Sequence, residues 1–343
     1  MRNIYNETLK SLQNKLTEDG FKAFNARQIY EWIYKKKVTD FNEMSNLSKK
    51  LRDYLNDEFI VGSLKIHTKQ VASDQTTKYL FELDDKHFIE AVLMYHDYGN
   101  SLCVTTQVGC NIGCSFCASG LQKRVRNLST AEIVMQLVEV EKDLDLKISH
   151  VVLMGTGEPF DNYDHSMAFI DVINSPYGLE IGARHITVST SGIVPKIYAF
   201  AEEKKQVNLA ISLHAPDNVT RSRLMKINDV YPVETLIEAV KHYIDKTNRR
   251  VTFEYILLEG ENDGLDQADQ LSDLLRGINC YVNLIRYNAV SEFDYKGSSE
   301  PRASAFYNRL MKRGIQCTLR REKGGDIDAA CGQLRTKEMK KEG

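Results

Sequence analysis

From residue 102 onward, short apolar runs that read as strands alternate with helical patterns, and this alternation restricts the fold more than any other feature. The runs are "LCVTTQVG", "SHVVLMGTG", "RHITVSTSG", "QVNLAISLHA", "RVTFEYILLEG", "CYVNLIRYNAV" and "GIQCTLRRE". Among the helical segments, "LSTAEIVMQLVEVEKDL" opens with Ser129 and Glu132 at the spacing of a capping box. "YPVETLIEAVKHYIDKT" carries Pro232 near its start, and "GLDQADQLSDLLRG" is bounded by glycine on both sides. Repeated strand–helix alternation predicts an α/β fold with a parallel sheet, curved into a full or partial barrel. At 343 residues the chain is long enough for one such domain and a smaller appendage.

The residues before the alternation read differently. Residues 1–58 are helical in pattern, in "ETLKSLQNKLTEDG", "ARQIYEWIYKK" and "FNEMSNLSKKLRDYL". Trp32 shares an apolar stripe with Ile29 and Ile33 and is expected to anchor the core of this small helical domain. Residues 59–95 alternate apolar and polar positions, with turn signals at Asp84-Asp85 and, just beyond, at Tyr98-Gly99-Asn100, as antiparallel strands do. The expected organisation is a helical domain over 1–58, an antiparallel β extension over 59–95, and the barrel core over 96–343.

In a parallel barrel, chemistry collects at the C-terminal ends of the strands. The first barrel strand runs straight into "CNIGCSFC", which holds Cys110, Cys114 and Cys117 among Gly109, Gly113 and Gly120. Glycines let a backbone wrap closely around a small ligand. Later strands end in Gly155, Gly157 and Glu158, in Ser189 and Ser191, in Ser212, Leu213 and His214, and in Asn288. Cys331 follows the last strand, in "GGDIDAACGQL". One small or polar residue at a strand end means little, but consecutive ones after a cysteine loop describe the wall of a polar pocket. The 45 basic residues nearly balance the 47 acidic ones, so any nucleic-acid surface has to be a local patch. Basic clusters occur in "WIYKKKVTD", "KKLR", "QKRVRNL", "NRR" and "LRREK". The N-terminus lacks the apolar run of a signal peptide and no stretch reaches membrane-spanning length, so the expected compartment is the cytoplasm. Clustered cysteines there point to a metal or to catalysis rather than to a disulfide framework.

Zinc in a structural site normally takes four ligands, whereas iron–sulfur clusters are held by cysteine thiolates. C-x3-C-x2-C after the first strand of a barrel resembles the radical S-adenosylmethionine family, and "GTGEP" resembles that family's strand for the methionine amino group. More closely, "ARQIYEWIYKKKVTDFNEMSNLSKKLR", "CVTTQVGCNIGCSFCAS", "VVLMGTGEPFDNYD", "RHITVSTSG", "NLAISLHAP", "NRRVTFEYILL" and "DIDAACGQLR" resemble the RlmN/Cfr family of bacterial RNA methyltransferases. "NLIRYN" places Arg286 where that family usually has proline.

The resemblance implies a partial (β/α)6 barrel and one [4Fe-4S] cluster on Cys110, Cys114 and Cys117. It implies S-adenosylmethionine, two molecules per turnover, against Gly157, Glu158, Ser189, Ser212, Leu213, His214 and Asn288. It further implies that Cys331 carries a methyl group as a thioether, that Cys103 resolves the adduct, and that Glu90 removes the ring proton. The implied substrates are adenine 2503 of 23S rRNA and adenine 37 of some tRNAs, methylated at C2. The implied partners are these RNAs and an electron donor such as flavodoxin or ferredoxin, acting on a monomer with no membrane. Two readings compete: methylation at C8 of the same rRNA adenine, as in the Cfr branch, and a non-enzymatic RNA-binding module stabilised by zinc with Cys331 as fourth ligand. For single residues the competing readings are a core thiol for Cys103, a solvent-facing strand position for Glu90, and buried packing for Cys280 and Cys317.

Overall fold

The computed structural model describes residues 1–290, 292–320, 324 and 327; Cys331 lies outside them. The N-terminal unit comprises β1 (Arg2–Asn3), α1 (Leu9–Glu18), α2 (Asn25–Tyr30) and α3 (Lys49–Glu58), and β2 (Phe59–Ile60) returns to pair in parallel with β1. Side-chain oxygens start two of these helices: Thr8 Oγ1 accepts from Ser11 N at 3.1 Å, and Ser48 Oγ from Leu51 N at 3.3 Å.

Trp32 does not anchor this unit. After α2 the chain runs on through a π-helical turn, Glu31–Lys35, whose wider winding alters the facing of successive side chains. Tyr30, Ile33 and Tyr34 are buried instead, and Trp32 lies half-buried at the edge of the core. Its indole N–H donates to Asn46 Oδ1 at 2.6 Å, and the Lys36 ammonium stands 3.3 Å from the ring centroid.

The strands that follow are β3 (Lys65–Val71), β4 (Thr77–Glu82), β5 (Phe88–His96), β6 (Gly99–Cys103), β7 (Gln107–Val108), β8 (Arg126–Asn127), β9 (His150–Leu153), β10 (Ile186–Thr190), β11 (Asn208–Ser212), β12 (Val251–Leu257), β13 (Cys280–Arg286) and β14 (Cys317–Leu319). The helices are α4 (Thr130–Leu144), α5 (Tyr163–Asn174), α6 (Val194–Glu202), α7 (Asn218–Leu224), α8 (Val233–Thr247), α9 (Leu265–Leu274) and α10 (Glu300–Lys312). One sheet takes the order β14-β13-β12-β11-β10-β9-β6-β5-β4-β3. Its strands from β6 to β14 pair in parallel, each parallel pair bridged by intervening helix, and β3 to β6 form an antiparallel meander on the same sheet. The antiparallel strands therefore extend the barrel wall.

The two faces of this sheet differ in chemistry. Tyr79, Phe81, Leu93, Leu102, Val151 and Leu153 lie in the main core, together with apolar residues of α4 and of the N-terminal unit. On the other face, pairing aligns Lys78, Val92, Cys103 and Val152 across β4, β5, β6 and β9. It likewise aligns Ser212, Glu254 and Asn283 across β11, β12 and β13. Directly paired residues point to the same side of a sheet. The concave face is thus polar along the parallel strands, which is where a ligand pocket can form.

Candidate active site

The cysteine loop is pinched at its base. β7 and β8 pair antiparallel, Gln107 with Asn127 and Val108 with Arg126, and so bring together the two ends of the segment carrying the thiols. Gly109 sits at φ +78°, and a Cβ there would stand 2.3 Å from the Lys123 carbonyl oxygen, so this crossing needs glycine. Within the loop, Cys117 N donates to Cys114 O at 3.3 Å and Gly120 N to Cys117 O at 2.9 Å.

Cys110, Cys114 and Cys117 are each half-buried. Cys114 and Cys117 lean on a small apolar cluster of Phe116, Ala118, Leu224, Met225, Leu258, Tyr287 and Val290. Tyr287 O–H donates to Phe116 O at 3.1 Å, which ties the loop to the end of β13. Burial pushes the Cys110 thiol up to about 12. Cys114 keeps some accessible surface, yet dense packing around its sulfur drives the thiol well above its ordinary value, and the nearby Cys117 and Cys110 add to the effect.

The next strand end is built around close backbone contact. The ladder from β6 continues past both strands, with Val104 N to Val152 O at 3.0 Å, Gly155 N to Val104 O at 3.0 Å and Thr106 N to Thr156 O at 3.0 Å. Cβ atoms on Gly155 and Gly157 would meet Val104 O at 2.6 Å and Gln107 Cβ at 2.7 Å. Glu158 is buried; its backbone N–H donates to Gln107 Oε1 at 2.8 Å. Its carboxylate accepts from Phe160 N at 3.0 Å and Ser191 N at 2.7 Å, so it fastens the end of β9 to the end of β10. Burial raises the Glu158 carboxyl, and these amide donors oppose the rise.

Ser189 pairs with Ala210, two residues before Ser212, so both serines lie on the same face of the sheet as Glu254 and Asn283. Leu213 is fully buried and presents backbone groups, its carbonyl accepting from Arg221 Nε at 3.1 Å. His214 takes φ +57°, and its Nδ1 accepts from Ile256 N at 3.1 Å, which leaves the ring proton on Nε2. Its ring meets Phe116 edge-on at 5.1 Å, so strand end and cysteine loop touch. Burial, helped by the Arg221 charge, lowers His214 to about 3. Asn288 is half-buried two residues past β13.

Glu90 is not the solvent-facing strand residue of the plain reading. It is buried, with Oε2 3.2 Å from Nζ of the equally buried Lys78. Cys103 is buried on the same concave face, in a cluster with Val92, Met94, Val152 and Met154. Cys317 is buried as expected, whereas Cys280 is only half-buried. No disulfide joins two of the described cysteines. Several basic residues of the charged clusters are engaged within the fold: Arg124 pairs with Asp161, Arg126 with Asp85 and Glu132, and Lys35 with Glu180. Arg286, at the end of β13, is exposed and donates Nε to Ser298 O at 3.1 Å.

Two charged residues of the site carry no signal in the sequence. Lys78 sits in "TTKYLFE" and Arg221 in "NVTRSRL", segments that read as ordinary solvated ones. Both are among the largest fully buried side chains.

Thiolates are the donors an iron–sulfur cluster requires, one per iron, and three of them in one loop leave a fourth iron open. No three His, Cys, Asp or Glu among the described residues form a group that could hold a single metal ion. Glu254 Oε2, in the row that holds Ser212, is buried with no hydrogen-bond partner among the described residues, which leaves an acceptor for a polar ligand on this face of the sheet. Barrel, cysteine loop and polar strand ends together define a radical S-adenosylmethionine enzyme, and residues 104–271 match the family model described as "Radical SAM superfamily". Residues 2–61 match "Ribosomal RNA large subunit methyltransferase N-terminal domain".

The chain is 56% identical over 342 residues to the "Probable dual-specificity RNA methyltransferase RlmN" of Geobacillus kaustophilus, covering 99% of this chain and 94% of that one. It is 55% identical, with the same coverage, to the protein of that name from Bacillus subtilis. The crystal structure of a radical SAM methyltransferase from Sphaerobacter thermophilus superposes with a TM-score of 0.90 at 41% identity, covering 97% of this chain and 99% of that one. The chain belongs to the RlmN family of radical S-adenosylmethionine RNA methyltransferases. Membership sets aside the non-enzymatic zinc module.

Proposed function

We propose that this enzyme methylates C2 of adenine 2503 in 23S rRNA and of adenine 37 in a subset of tRNAs, through a methyl group carried on Cys331. The observation that carries the reading is that Glu90 and Cys103 share the concave face of the sheet whose strand ends bear the cysteine loop. A base and a second thiol on the surface of one pocket are what C2 chemistry needs, because that carbon is not nucleophilic.

Cys110, Cys114 and Cys117 would hold the [4Fe-4S] cluster, and Gly157, Glu158, Ser189, Ser212, Leu213, His214 and Asn288 would surround S-adenosylmethionine. When bound, the two supply an electron and a 5′-deoxyadenosyl radical, and a second S-adenosylmethionine supplies the methyl group. Cys331 would take the methyl as a thioether; after loss of one hydrogen atom to the radical its carbon bonds to C2, and the single electron left on the adenine ring would pass back to the cluster. Glu90, oriented by Lys78, takes the C2 proton. The Cys103 thiolate then bonds to the Cys331 sulfur, the carbon–sulfur bond breaks with its electron pair on the methylene carbon, that carbon takes up a proton to become the methyl group, and methyladenine leaves; a cellular thiol reductant restores both cysteines. Glu158 does its work at one remove, since both carboxylate oxygens already hold backbone amides.

A flipped-out adenine has to enter from the strand ends. The helical domain, 1–58, is the proposed grip on RNA, with Phe24 exposed and Lys22 over its ring. The reading takes the enzyme as a cytoplasmic monomer served by flavodoxin or ferredoxin; no helix among the described residues is long and apolar enough to cross a membrane.

The test is a trap. Cys103→Ala protein, expressed with its RNA, should remain covalently joined to RNA through Cys331, and so should Glu90→Ala. Wild type should carry a methyl on the peptide "GGDIDAACGQLR". A Cys103→Ala enzyme that turns over without crosslinking removes the carrier mechanism. Adenosine from wild-type and deletion strains, analysed by mass spectrometry, separates C2 from C8 methylation.

A further inference from the structure

Arg221 is completely buried, and none of its hydrogen-bond partners among the described residues is a carboxylate. Its guanidinium donates to four neutral oxygens: Nη2 to Ser191 O at 2.6 Å and to Ser212 O at 3.2 Å, Nε to Leu213 O at 3.1 Å, and Nη1 to Asn228 Oδ1 at 3.1 Å. These bonds clasp the ends of β10 and β11. Glu158 accepts from the backbone N–H of the same residue, so the peptides on either side of Ser191 are held by these two buried charges.

Four hydrogen bonds occupy four of its five donors but pair the charge with no carboxylate among the described residues. A buried cation is costly unless an anion offsets it. The backbone ties this cation to the cysteine loop. Arg221 stands one turn before the end of α7, its carbonyl accepting from Met225 N. At that end, Ser115 N donates to Leu224 O at 2.9 Å, and Cys114 forms an isolated antiparallel bridge with Met225. The helix carrying this charge is therefore bonded directly to the cysteine loop.

We propose that Arg221 is the positioning residue and electrostatic counter-charge of the iron–sulfur cluster, coupling the cysteine loop to the cofactor-binding strand ends and raising the potential at which the cluster accepts an electron. The inference rests on the reading of Cys110, Cys114 and Cys117 as cluster ligands. One-electron reduction adds a negative charge to an already anionic thiolate cluster, and a fixed buried cation stabilises that form. An arginine fork suits the task because it stays charged while bonding several carbonyls at once.

The test uses full-length protein, purified anaerobically, with its cluster potential followed by EPR during a redox titration without S-adenosylmethionine. Arg221→Gln removes the charge and should shift the reduction equilibrium at least tenfold toward the oxidised cluster, about 59 mV for a one-electron couple. Asn228→Asp keeps the guanidinium's bonds to the strand ends, gives up the Nδ2 bonds to Asn218 and Ser222, and sets a carboxylate against Nη1, and should shift it the same way. Arg221→Lys keeps the charge and should stay within about threefold of wild type. If Arg221→Gln fails to fold, Asn228→Asp carries the test alone. Wild-type potentials in folded, cluster-loaded Arg221→Gln and Asn228→Asp would leave Arg221 a purely structural clasp and overturn the proposal. Wild-type protein without iron, sulfide or an EPR signal would instead overturn the reading of the cysteine loop.

Discussion

His214 shows how much a single residue of this site depends on its surroundings. Buried behind Phe116, with Nδ1 taken by the Ile256 amide and Arg221 nearby, it is lowered to about 3, against about 6.5 for a solvated imidazole. Between those values the unfolded chain binds a proton that the folded protein refuses. Stability is therefore fully present above pH 6.5 and falls as the pH drops toward 3. At roughly 1.4 kcal/mol per unit, moving from pH 8 to pH 5 should remove about 2 kcal/mol through this group. Denaturant unfolding of wild type and His214→Gln at both pH values checks this, since the variant should lack that part of the slope. Lys78 offers a second residue-level prediction. Lys78→Met strips the ammonium from a buried carboxylate and should cost about 3–5 kcal/mol, read from the urea midpoint. A loss below about 1 kcal/mol would place the pair among exposed ion pairs, contrary to its burial.

At the scale of elements, the strand ends are held by backbone crossings that leave no room for side chains. The segment after β9 lies against the segment after β6, and Gly157 at φ +109° fills one of the two tight crossings in that contact. Gly157→Ala combines a disfavoured conformation with a Cβ 2.8 Å from Gln107 N. It should destabilise by more than about 1 kcal/mol and weaken S-adenosylmethionine binding even where the protein folds. Thermal melting and calorimetric titration of anaerobic protein measure the two effects, and an unchanged melting temperature would contradict the crowding seen here. Gly113, at φ +71° with open space around it, should be milder, because only its conformation resists substitution.

For the whole molecule, the N-terminal unit and the barrel share one core. Asn6 Oδ1 accepts from Ala131 N at 2.8 Å, at the first turn of α4, and Ile4, Tyr5 and Tyr34 sit in the same apolar cluster as Val134 and Leu137. Removal of residues 1–58 should therefore expose the outer face of α4 and yield aggregated protein rather than a free barrel. Size-exclusion chromatography and near-ultraviolet circular dichroism of the truncated chain decide the matter. A soluble monomer with native tertiary signal would show that the unit is an appendage, not part of the core.

Much of this was legible in the chain itself, because the relevant signals are local. Strand–helix alternation determined the parallel barrel, since periods of two and 3.6 residues report which faces are buried. The Ser129–Glu132 cap, the glycines after β9 and the cysteine spacing mark their own positions, each being set by backbone geometry within a few residues. Trp32 was misplaced because apolar periodicity assumes an α-helix and cannot register a π-helical turn. Glu90 reads as an exposed strand residue until Lys78, on the neighbouring strand, is brought against it. Arg221 reads as a surface charge until three carbonyls from two strand ends close around it. A buried charge is defined by partners distant in the chain, and no local pattern announces them. The sequence by itself determined the barrel, the thiol loop and the family; only the tertiary structure decided which charges are sealed inside and what each of them faces.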